Sequence, residues 1–362
     1  MRKTRITILV NLSILIFLGI IMIYSSTSIF ALEKYKDGMF FLKRHIIFLF
    51  LGFLLMLMAM SFDYRILKGK AKILILISFL LLILVLIPSI GRQLGGARRW
   101  FRFGVLSFQP SEFTYLALIV YVADFISRKK VLIRDSFLRG LIPVLLILGA
   151  KVILILLQPD LGTAFALGLV IIIMLFIAGA PVKHLMFILM ISLVFFYILI
   201  STSSYRRARI MAFINPWQDP KKIGFQIIQS NIALGSGGLF GKGLGHSHQK
   251  LFYLPAAHTD FIFSIIGEEL GLLGTLSTCL LFFNLILQGF KVSRFAQDTF
   301  GTFLSLGITL VIGLKAIINM GVSSGILPTK GLPLPFISYG GSSLIFDLIG
   351  IGLILNISRF SD

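Results

Sequence analysis

The sequence predicts an all-α polytopic membrane protein, a bundle of about ten transmembrane helices. Of its 362 residues 57% are hydrophobic and 13% are charged, whereas soluble domains carry roughly 25% charged residues. Apolar runs long enough to cross a bilayer recur along the whole chain. Because lipid offers backbone groups no hydrogen-bond partners, such runs form helices. We therefore expect one transmembrane domain over residues 1–362, where length alone would suggest two soluble domains.

The apolar runs begin near the N-terminus. A span needs about 20 apolar residues, and the candidates are residues 6–30, 41–60, 73–90, 112–126, 140–157, 162–180, 184–200, 260–287, 303–322 and 337–357. The basic start followed by an apolar run resembles a signal peptide, but it lacks a small-residue cleavage site, so we interpret it as an uncleaved first helix. The longest polar stretch, about residues 201–258, is expected to be an extracytoplasmic loop before the eighth span.

Basic residues predict the orientation. With both termini cytoplasmic, the inner short loops carry more Lys and Arg than the outer ones. The outer segments nevertheless contain cations against that rule, and paired guanidinium groups suit an anionic ligand such as a phosphate. Lipid head-group contact or solvated charge is the alternative for each. These outer cations are Lys34, Lys36, Lys43, Arg44, Arg92, Arg98, Arg99, Arg102, Arg206, Arg207, Arg209, Lys221, Lys222, Lys242, Lys250 and Lys330.

The formal net charge of +20 is compatible with nucleic acid or with anionic lipid. The basic residues flank the apolar runs instead of forming one stripe, which favours lipid head groups. No nucleic-acid partner is expected. The single cysteine, Cys279, excludes an intramolecular disulfide.

Residues 258–260 place a histidine, a hydroxyl and a carboxylate at the mouth of the eighth run. An acid at the edge of the hydrocarbon is expensive and therefore indicates a functional site. Glu268 and Glu269 lie about 12–14 Å further along a helix, so they cannot act on the same atom as Asp260. Pairing of these glutamates with Lys315 and a proton path are the open interpretations.

Glu112 and Asp160 each follow a proline at the start of a predicted span. Helix-start chemistry explains this pattern, because an acid complements the positive end of a helix. A functional role is the alternative, because both turns are expected on the outer face with Asp260. Lys151, in the fifth run, would need a buried partner, and Asp160 and Glu112 are the candidates.

The glycine-rich segment 235–245 looks like a phosphate loop. It has no preceding strand and no closing Lys-Ser or Lys-Thr pair, so a tight turn or re-entrant loop lying against the bundle is the preferred interpretation. His246, His248 and His258 match a zinc spacing only weakly. We expect no metal ligands there and interpret His258 as an orienting or substrate-binding group.

Several motifs occur in order along essentially the whole chain. They are GARRW at 96–100, QPSEF at 109–113, QPDLGT at 158–163, YR at 205–206, FINPW at 213–217, LP at 254–255, HTDFIF at 258–263 and GLPLPFISYGGSS at 331–343. Together they resemble the SEDS family, the shape, elongation, division and sporulation proteins, which includes FtsW, RodA and SpoVE. Residues 266–271 and the final motif resemble FtsW and SpoVE more than RodA.

This resemblance implies a peptidoglycan glycosyltransferase of the bacterial cytoplasmic membrane that polymerises lipid II with a class B penicillin-binding protein and other division or elongation proteins as partners. It places the essential acid on Asp260, which would take the proton of the acceptor hydroxyl. Outer arginines would stabilise the leaving diphosphate, in one inverting displacement. A divalent cation, Mg or Mn, is the only cofactor considered. The expected substrate-binding residues are Arg44, Arg98, Arg99, Glu112, Asp160, Arg206, Arg209, Gln226, His258, Lys330 and Ser338.

The chain departs from the family pattern at three positions. Ala256 stands where a glutamate is usual, Tyr115 where a lysine is usual, and Phe225 where a tyrosine is common. Tyr115 puts a local salt bridge to Glu112 in doubt, and Lys151 is the expected substitute.

Two other functions fit the same features. A transporter or flippase of a lipid-linked precursor would explain the bundle, the acids and the arginines, but we find no convincing internal repeat and the polar groups concentrate on one face. A non-catalytic scaffold for the penicillin-binding protein is the third interpretation.

Overall fold

The structure, a computed structural model, describes residues 1–94, 96–104, 106–220, 224–251, 254–329 and 331–360. Lys330, expected to bind substrate, lies outside the described residues. The helices in the described part are α1 Arg2–Tyr35, α2 Phe40–Ser61, α3 Ile66–Leu84, α4 Pro110–Asp135, α5 Ile142–Leu156, α6 Leu161–Ile177, α7 Val182–Ser201, α8 Ser204–Ile214, α9 Phe225–Ser236, α10 Ile262–Phe295, α11 Thr299–Ser323 and α12 Gly341–Arg359.

The helical bundle predicted from the apolar runs is confirmed, because each run overlaps one of these helices. Seven helices in the described part are long and apolar enough to cross a membrane: α1, α2, α7, α10, α11, α12 and the segment Phe137–Leu156. A count of ten crossings stays a prediction. The fourth apolar run is shorter than α4 because the run stops where charged residues begin, whereas the helix continues past them. Within this continuation, the guanidinium of Arg128 pairs with Asp124, one turn earlier, at 2.6 Å.

The centre of the bundle is formed by α11 and α12. In the most apolar 18-residue stretch of each of these helices 78% of the residues are buried, whereas in α7, at the periphery, only 6% are. Helix α2 packs along α12, and α10 packs on both α1 and α11. Gly19 of α1 lies against Phe336 and Ile337, just before α12, whereas the earlier Ile8 lines a cavity with Ile351 and Ile354. The two helices therefore run in opposite directions. Because Ser338 bonds Thr259, both described termini lie at the end of the bundle remote from Asp260. We call the other end the Asp260 end.

Residues 92–108, expected to be a basic loop, form a three-stranded antiparallel sheet of β1 Arg92–Leu94, β2 Ala97–Phe103 and β3 Leu106–Phe108. Arg98 and Arg99 are neighbours on β2. They lie at an irregularity of the sheet, because Gln93 pairs with Arg98 and Arg92 with Trp100, which leaves Arg99 without a partner residue on β1. The alternation of side chains along a regular strand is therefore interrupted at Arg99.

The stretch 201–258 was expected to be a loop, but it contains α8 and α9. After α9, residues 237–243 lie across a break in α10. The break is at Gly271, whose φ is +67°. The interpretation of the glycine-rich segment as a turn against the bundle is confirmed.

Reciprocal backbone hydrogen bonds join this segment to the break. Lys242 N and Gly243 N donate to the carbonyls of Glu268 and Glu269, while Leu272 N and Leu273 N donate to those of Gly238 and Leu239. A break frees helical donors and acceptors, which must find partners when buried. At Gly241, with φ +80°, a Cβ atom would lie 2.2 Å from the carbonyl oxygen of Glu269, so glycine is required.

The expected pairing of Glu268 and Glu269 with Lys315 is wrong. Glu268 pairs with Lys242 and Glu269 with Lys250, each at 2.8 Å. Lys242 belongs to the segment that crosses the break and Lys250 follows it in the chain, whereas Lys315 pairs with Glu112 and Asp347. Glu268 and Glu269 pair with Lys242 and Lys250 because the segment 237–243 already contacts the backbone of both glutamates.

Candidate active site

Asp260 lies in a tight turn directly before α10. The backbone N–H groups of Thr259 and Asp260 both donate to the carbonyl of Ala256 at 3.1 Å, and Ala256 adopts a left-handed φ of +57°. The carbonyl of Asp260 accepts from Asn319 Nδ2 at 3.0 Å and from Ser323 Oγ at 3.4 Å. These two residues are four apart on α11 and so share a face. The central helix thereby fixes the backbone of the candidate base.

A second support is the segment 331–339. Ser338 Oγ donates to the carbonyl of Thr259 at 2.6 Å, and the N–H of Tyr339 donates to the carbonyl of His258 at 2.9 Å. A Cβ added at Gly331 would lie 3.1 Å from Asp260 Oδ2, so this glycine leaves room for the carboxylate. Ser338 is buried and its hydroxyl orients the 258–260 turn; substrate binding by Ser338 stays a prediction.

Positive charge approaches Asp260 from β2 and α8. Arg99 Nη1 lies 3.7 Å from Asp160 Oδ2, and its Nε donates to the carbonyl of Gln158 at 2.7 Å. Asp160 also caps α6 by accepting from Thr163 N at 3.2 Å. The charges of Arg209, Asp160 and Arg99 all act on Asp260. The structure therefore brings four of the predicted site residues together.

Burial raises the pKa of Asp260 to about 6. The Thr259 hydroxyl and the Arg209 charge oppose that shift, Asp160 adds to it, and Arg99 opposes it. A carboxylic acid with this pKa is mostly ionised at neutral pH, yet holds a proton more tightly than an ordinary aspartate. General-base catalysis works best when the pKa lies near the operating pH.

His258 is packed among aromatic rings. Its ring centroid lies 5.1 Å from that of Phe41 and 5.9 Å from that of Tyr339. Burial lowers the pKa of His258 to about 4, so the imidazole is neutral at pH 7. A neutral imidazole can both donate and accept one hydrogen bond, which suits the predicted orienting or substrate-binding role.

Three other residues that were predicted to bind substrate contact the protein itself or lie half-buried. Arg206 Nη1 donates to the carbonyl of Leu199 at 3.0 Å, at the end of α7. Arg44 lies over the Phe40 ring, 4.6 Å from its centroid. Gln226 is half-buried on α9. Their role in substrate binding stays a prediction.

Glu112 belongs to a buried network. Lys315 Nζ lies 2.6 Å from Glu112 Oε2 and 2.9 Å from Asp347 Oδ1, and the three side chains are at most 4% exposed. Ser343 accepts from Lys315 at 3.1 Å. Helices α4, α11 and α12 are thus joined by charge. Pairs between distant helices leave no periodic signal, which explains why sequence reasoning missed this one.

The expected pairing of Lys151 with Asp160 or Glu112 is wrong. Its ammonium donates to Ser78 Oγ and lies over the Phe79 ring, 4.2 Å from the centroid. Glu112 takes its cation from Lys315 on α11, and not from Lys151 as expected. The Lys315 ammonium lies 5.4 Å from the centre of the Tyr115 ring.

An apolar cavity of about 530 Å³ lies between α5, α6 and α7. Ala164 and Phe165, about one turn beyond Asp160 on α6, line it. Its lining is almost wholly aliphatic and aromatic, which suits a hydrocarbon chain. Among the described residues, no group of three His, Cys, Asp or Glu side chains converges as in a metal site.

The profile of the FtsW/RodA/SpoVE family, described as cell cycle protein, matches residues 5–362. The chain belongs to this family. It is 47% identical over 340 residues to a probable peptidoglycan glycosyltransferase FtsW of Geobacter sulfurreducens, covering 94% of this chain and 91% of the relative. It is 44% identical to stage V sporulation protein E of Bacillus subtilis, covering 96% and 95%.

Two solved structures share the fold. The crystal structure of the rod shape determining protein RodA from Thermus thermophilus has a TM-score of 0.73 at 29% identity, covering 97% of this chain and 95% of that one. A chain from a peptidoglycan synthase complex that coordinates polymerization and crosslinking has a TM-score of 0.79 at 29% identity, covering 98% and 97%. This member of the FtsW/RodA/SpoVE family is accordingly a multi-pass membrane protein.

Proposed function

We propose that the protein is a peptidoglycan glycosyltransferase that polymerises lipid II into β-1,4 glycan strands, with Asp260 as general base. The observation that carries the proposal is the Asp260 turn: a half-buried carboxylate fixed by α11, with Arg99 and Arg209 acting on it. The names of the relatives support the activity. We further propose that residues 1–362 form one membrane domain, with the termini in the cytoplasm and the Asp260 end at the outer face of the bacterial cytoplasmic membrane.

The acceptor sugar hydroxyl is a poor nucleophile. Asp260 takes its proton as the hydroxyl oxygen forms a bond to the anomeric carbon of the donor. Positioned proton transfer of this kind contributes typically about 10²–10⁴-fold in rate. The raised pKa of Asp260 increases the basicity of the carboxylate without leaving it protonated at pH 7.

The donor leaves as a polyprenyl diphosphate, which takes the electron pair of the broken carbon–oxygen bond. Arg99 and Arg209 lie where they stabilise that developing charge, because fixed cations in a site shielded from water are worth more than in bulk solvent. One displacement converts the α-linked donor into a β-linked product. The cavity between α5, α6 and α7 accommodates the hydrocarbon tail.

Two further parts of the proposal concern binding partners. A class B penicillin-binding protein, together with other division or elongation membrane proteins, would act with this chain; the likeness to a chain of a peptidoglycan synthase complex supports it. A divalent cation, Mg or Mn, would be held by Asp160 and would supply positive charge to the leaving diphosphate. Asp160 fits this role only in part, because its oxygens already contact Arg99 and Thr163.

Polymerisation by the purified chain in nanodiscs tests the proposal. Supplied with lipid II, with and without the partner transpeptidase and with and without a chelator, the protein should yield glycan strands. Asp260→Asn should abolish them, while Asp219→Asn, a change at an exposed aspartate in the segment after α8, should not. Polymer from Asp260→Asn would refute the base assignment. Lipid movement without polymer would favour a flippase, and neither activity would favour a scaffold.

A further inference from the structure

A continuous path of aromatic rings joins the α1–α2 turn to the candidate base. Tyr35 and Phe40 stack with centroids 4.0 Å apart and planes 8° from parallel. Phe41 contacts both, at 5.7 and 5.4 Å. Phe41 also lies 5.3 Å from Tyr339 and 5.1 Å from His258. We call these five residues the aromatic path.

The path is graded from open to enclosed. Tyr35 is 42% exposed, Phe40 is half-buried, and Phe41 is buried. His258, at its inner end, is two residues from Asp260. Packing of a core explains the enclosed rings, but it does not explain a parallel stacked pair with one ring open to the surroundings.

Two cations accompany the outer rings. Arg44 lies 4.6 Å from the centroid of Phe40, and Lys34 lies 5.8 Å from that of Tyr35. The neighbouring Lys43 is neutralised by Asp37 at 2.8 Å. In the described part of the chain, neither Lys34 nor Arg44 forms an ion pair with a carboxylate. The open end of the path therefore carries uncompensated positive charge.

We infer that the aromatic path binds the acceptor strand, an amino-sugar chain bearing carboxylates, and leads its terminal hydroxyl to Asp260. This inference rests on the proposed function and deepens it. The face of an aromatic ring is electron-rich, and the polarised C–H bonds of a pyranose ring are attracted to it. Lys34 and Arg44 complement the carboxylates of the strand.

The geometry also separates the two substrates. The path reaches Asp260 from α1 and α2, whereas Arg99 and Arg209 belong to β2 and α8. An acceptor on the path and a diphosphate donor beside the arginines would therefore meet at the carboxylate without competing for the same side chains. Such an arrangement suits an enzyme that keeps its growing product bound between additions.

A membrane-interface belt is the competing explanation, because aromatic residues collect at the head-group level. The two explanations predict different substitutions to be tolerated. Leucine satisfies lipid but offers no ring face, whereas tryptophan satisfies both. Tyr35→Leu and Tyr35→Trp therefore form a diagnostic pair, with Phe62→Leu, an exposed aromatic at the far end of α2, as matched control.

Binding is measured on the full chain carrying Asp260→Asn in nanodiscs, so that nothing is consumed. The probes are a soluble muropeptide tetrasaccharide with its carboxylates and the neutral chitotetraose, followed by microscale thermophoresis. Tyr35→Leu and Phe40→Leu should weaken binding of both probes about tenfold or more. Tyr35→Trp should retain binding of both probes, and the control Phe62→Leu should leave both dissociation constants unchanged. Arg44→Met should weaken the muropeptide selectively. With Asp260 intact, the leucine variants should make shorter glycan strands.

Equal binding by the leucine variants and their parent, or lost binding by Tyr35→Trp, would assign the rings to the membrane interface and overturn the inference. So would a parent that binds neither probe. These results differ from a failure of the proposed function, which would appear as no polymer from the wild-type chain. If the wild-type chain polymerises lipid II but the ring variants bind the probes as their parent does, only the role of the aromatic path is refuted. If the probes bind in the expected pattern but no polymer forms, only the proposed enzymatic function is refuted.

Discussion

Asp260 and Glu112 lie at the same end of the bundle, each with another acid and with basic residues nearby, and they differ in what their carboxylates can still do. Glu112 is 3% exposed and pairs with Lys315, which also holds Asp347. Asp260 is half-buried, and the charges of Arg209 and Arg99 act on it from α8 and β2. Only the second arrangement leaves a carboxylate able to accept a proton from a ligand.

The comparison teaches that an acid at a membrane edge indicates a special environment without saying which one. Breaking a buried pair costs stability because an uncompensated charge is left behind. Removing a base costs rate. The two sites should therefore respond oppositely to substitution.

Asp260→Asn should reduce polymerisation by about 10²–10⁴-fold, because the amide cannot accept the hydroxyl proton. Its thermal unfolding midpoint should change little, since the backbone carbonyl that binds Asn319 and Ser323 is retained. Strand yield from lipid II and differential scanning fluorimetry measure the two quantities. A large fall in the midpoint together with the rate would place Asp260 in the structural class with Glu112.

Lys315→Met should destabilise the fold by about 3–5 kcal/mol, because two buried carboxylates lose their shared cation. Tyr115→Lys in the same chain should recover part of this loss: position 115 is three residues after Glu112 on α4, so the new ammonium can reach that acid. Denaturant unfolding in detergent gives both values. Tyr115→Lys alone serves as the control. A double variant no more stable than Lys315→Met would contradict the interpretation that a lysine at position 115 can replace Lys315 as the cation that pairs with Glu112.

Activity should rise with pH through about 6, the pKa of Asp260. Burial raises that pKa, so the proton is held to a higher pH than in an ordinary aspartate, and activity should fall about tenfold per unit below it as the base is protonated. Arg209→Met removes a charge that lowers the pKa and should shift the midpoint upward. A downward shift would show that Arg209 does not act on Asp260.

Lys242→Met should cost only about 1 kcal/mol. Its partner Glu268 still accepts from Ser247 Oγ at 2.5 Å and from His248 N at 3.0 Å, so the carboxylate remains hydrogen-bonded. Unfolding of this variant should be compared with Lys315→Met under the same conditions. If both variants lose the same free energy of unfolding, the exposure of the lysine does not determine how much an ion pair contributes to stability.

The prediction of the bundle from the sequence succeeded because a span carries its own signal, a continuous apolar run. The helices α8 and α9 were missed because they have only 11 and 12 residues, too few to give an apolar run of the length of a span. The sheet at 92–108 was missed for the same reason. In the site, the 258–260 turn was found from the position of its acid, whereas the orientation of Ser338 toward Thr259 had no signal in local pattern.

What the sequence alone determined is the helical membrane class, the register of the main helices and the acid before α10, because each depends on residues near one another in the chain. What the tertiary structure decided is pairing: Lys315 with Glu112 and Asp347, Lys242 and Lys250 with the glutamates at the break, and Arg99 with Asp160. A charged group lowers its free energy through whichever opposite charge packing brings within about 4 Å. That distance is a property of the folded bundle, and no local pattern encodes it.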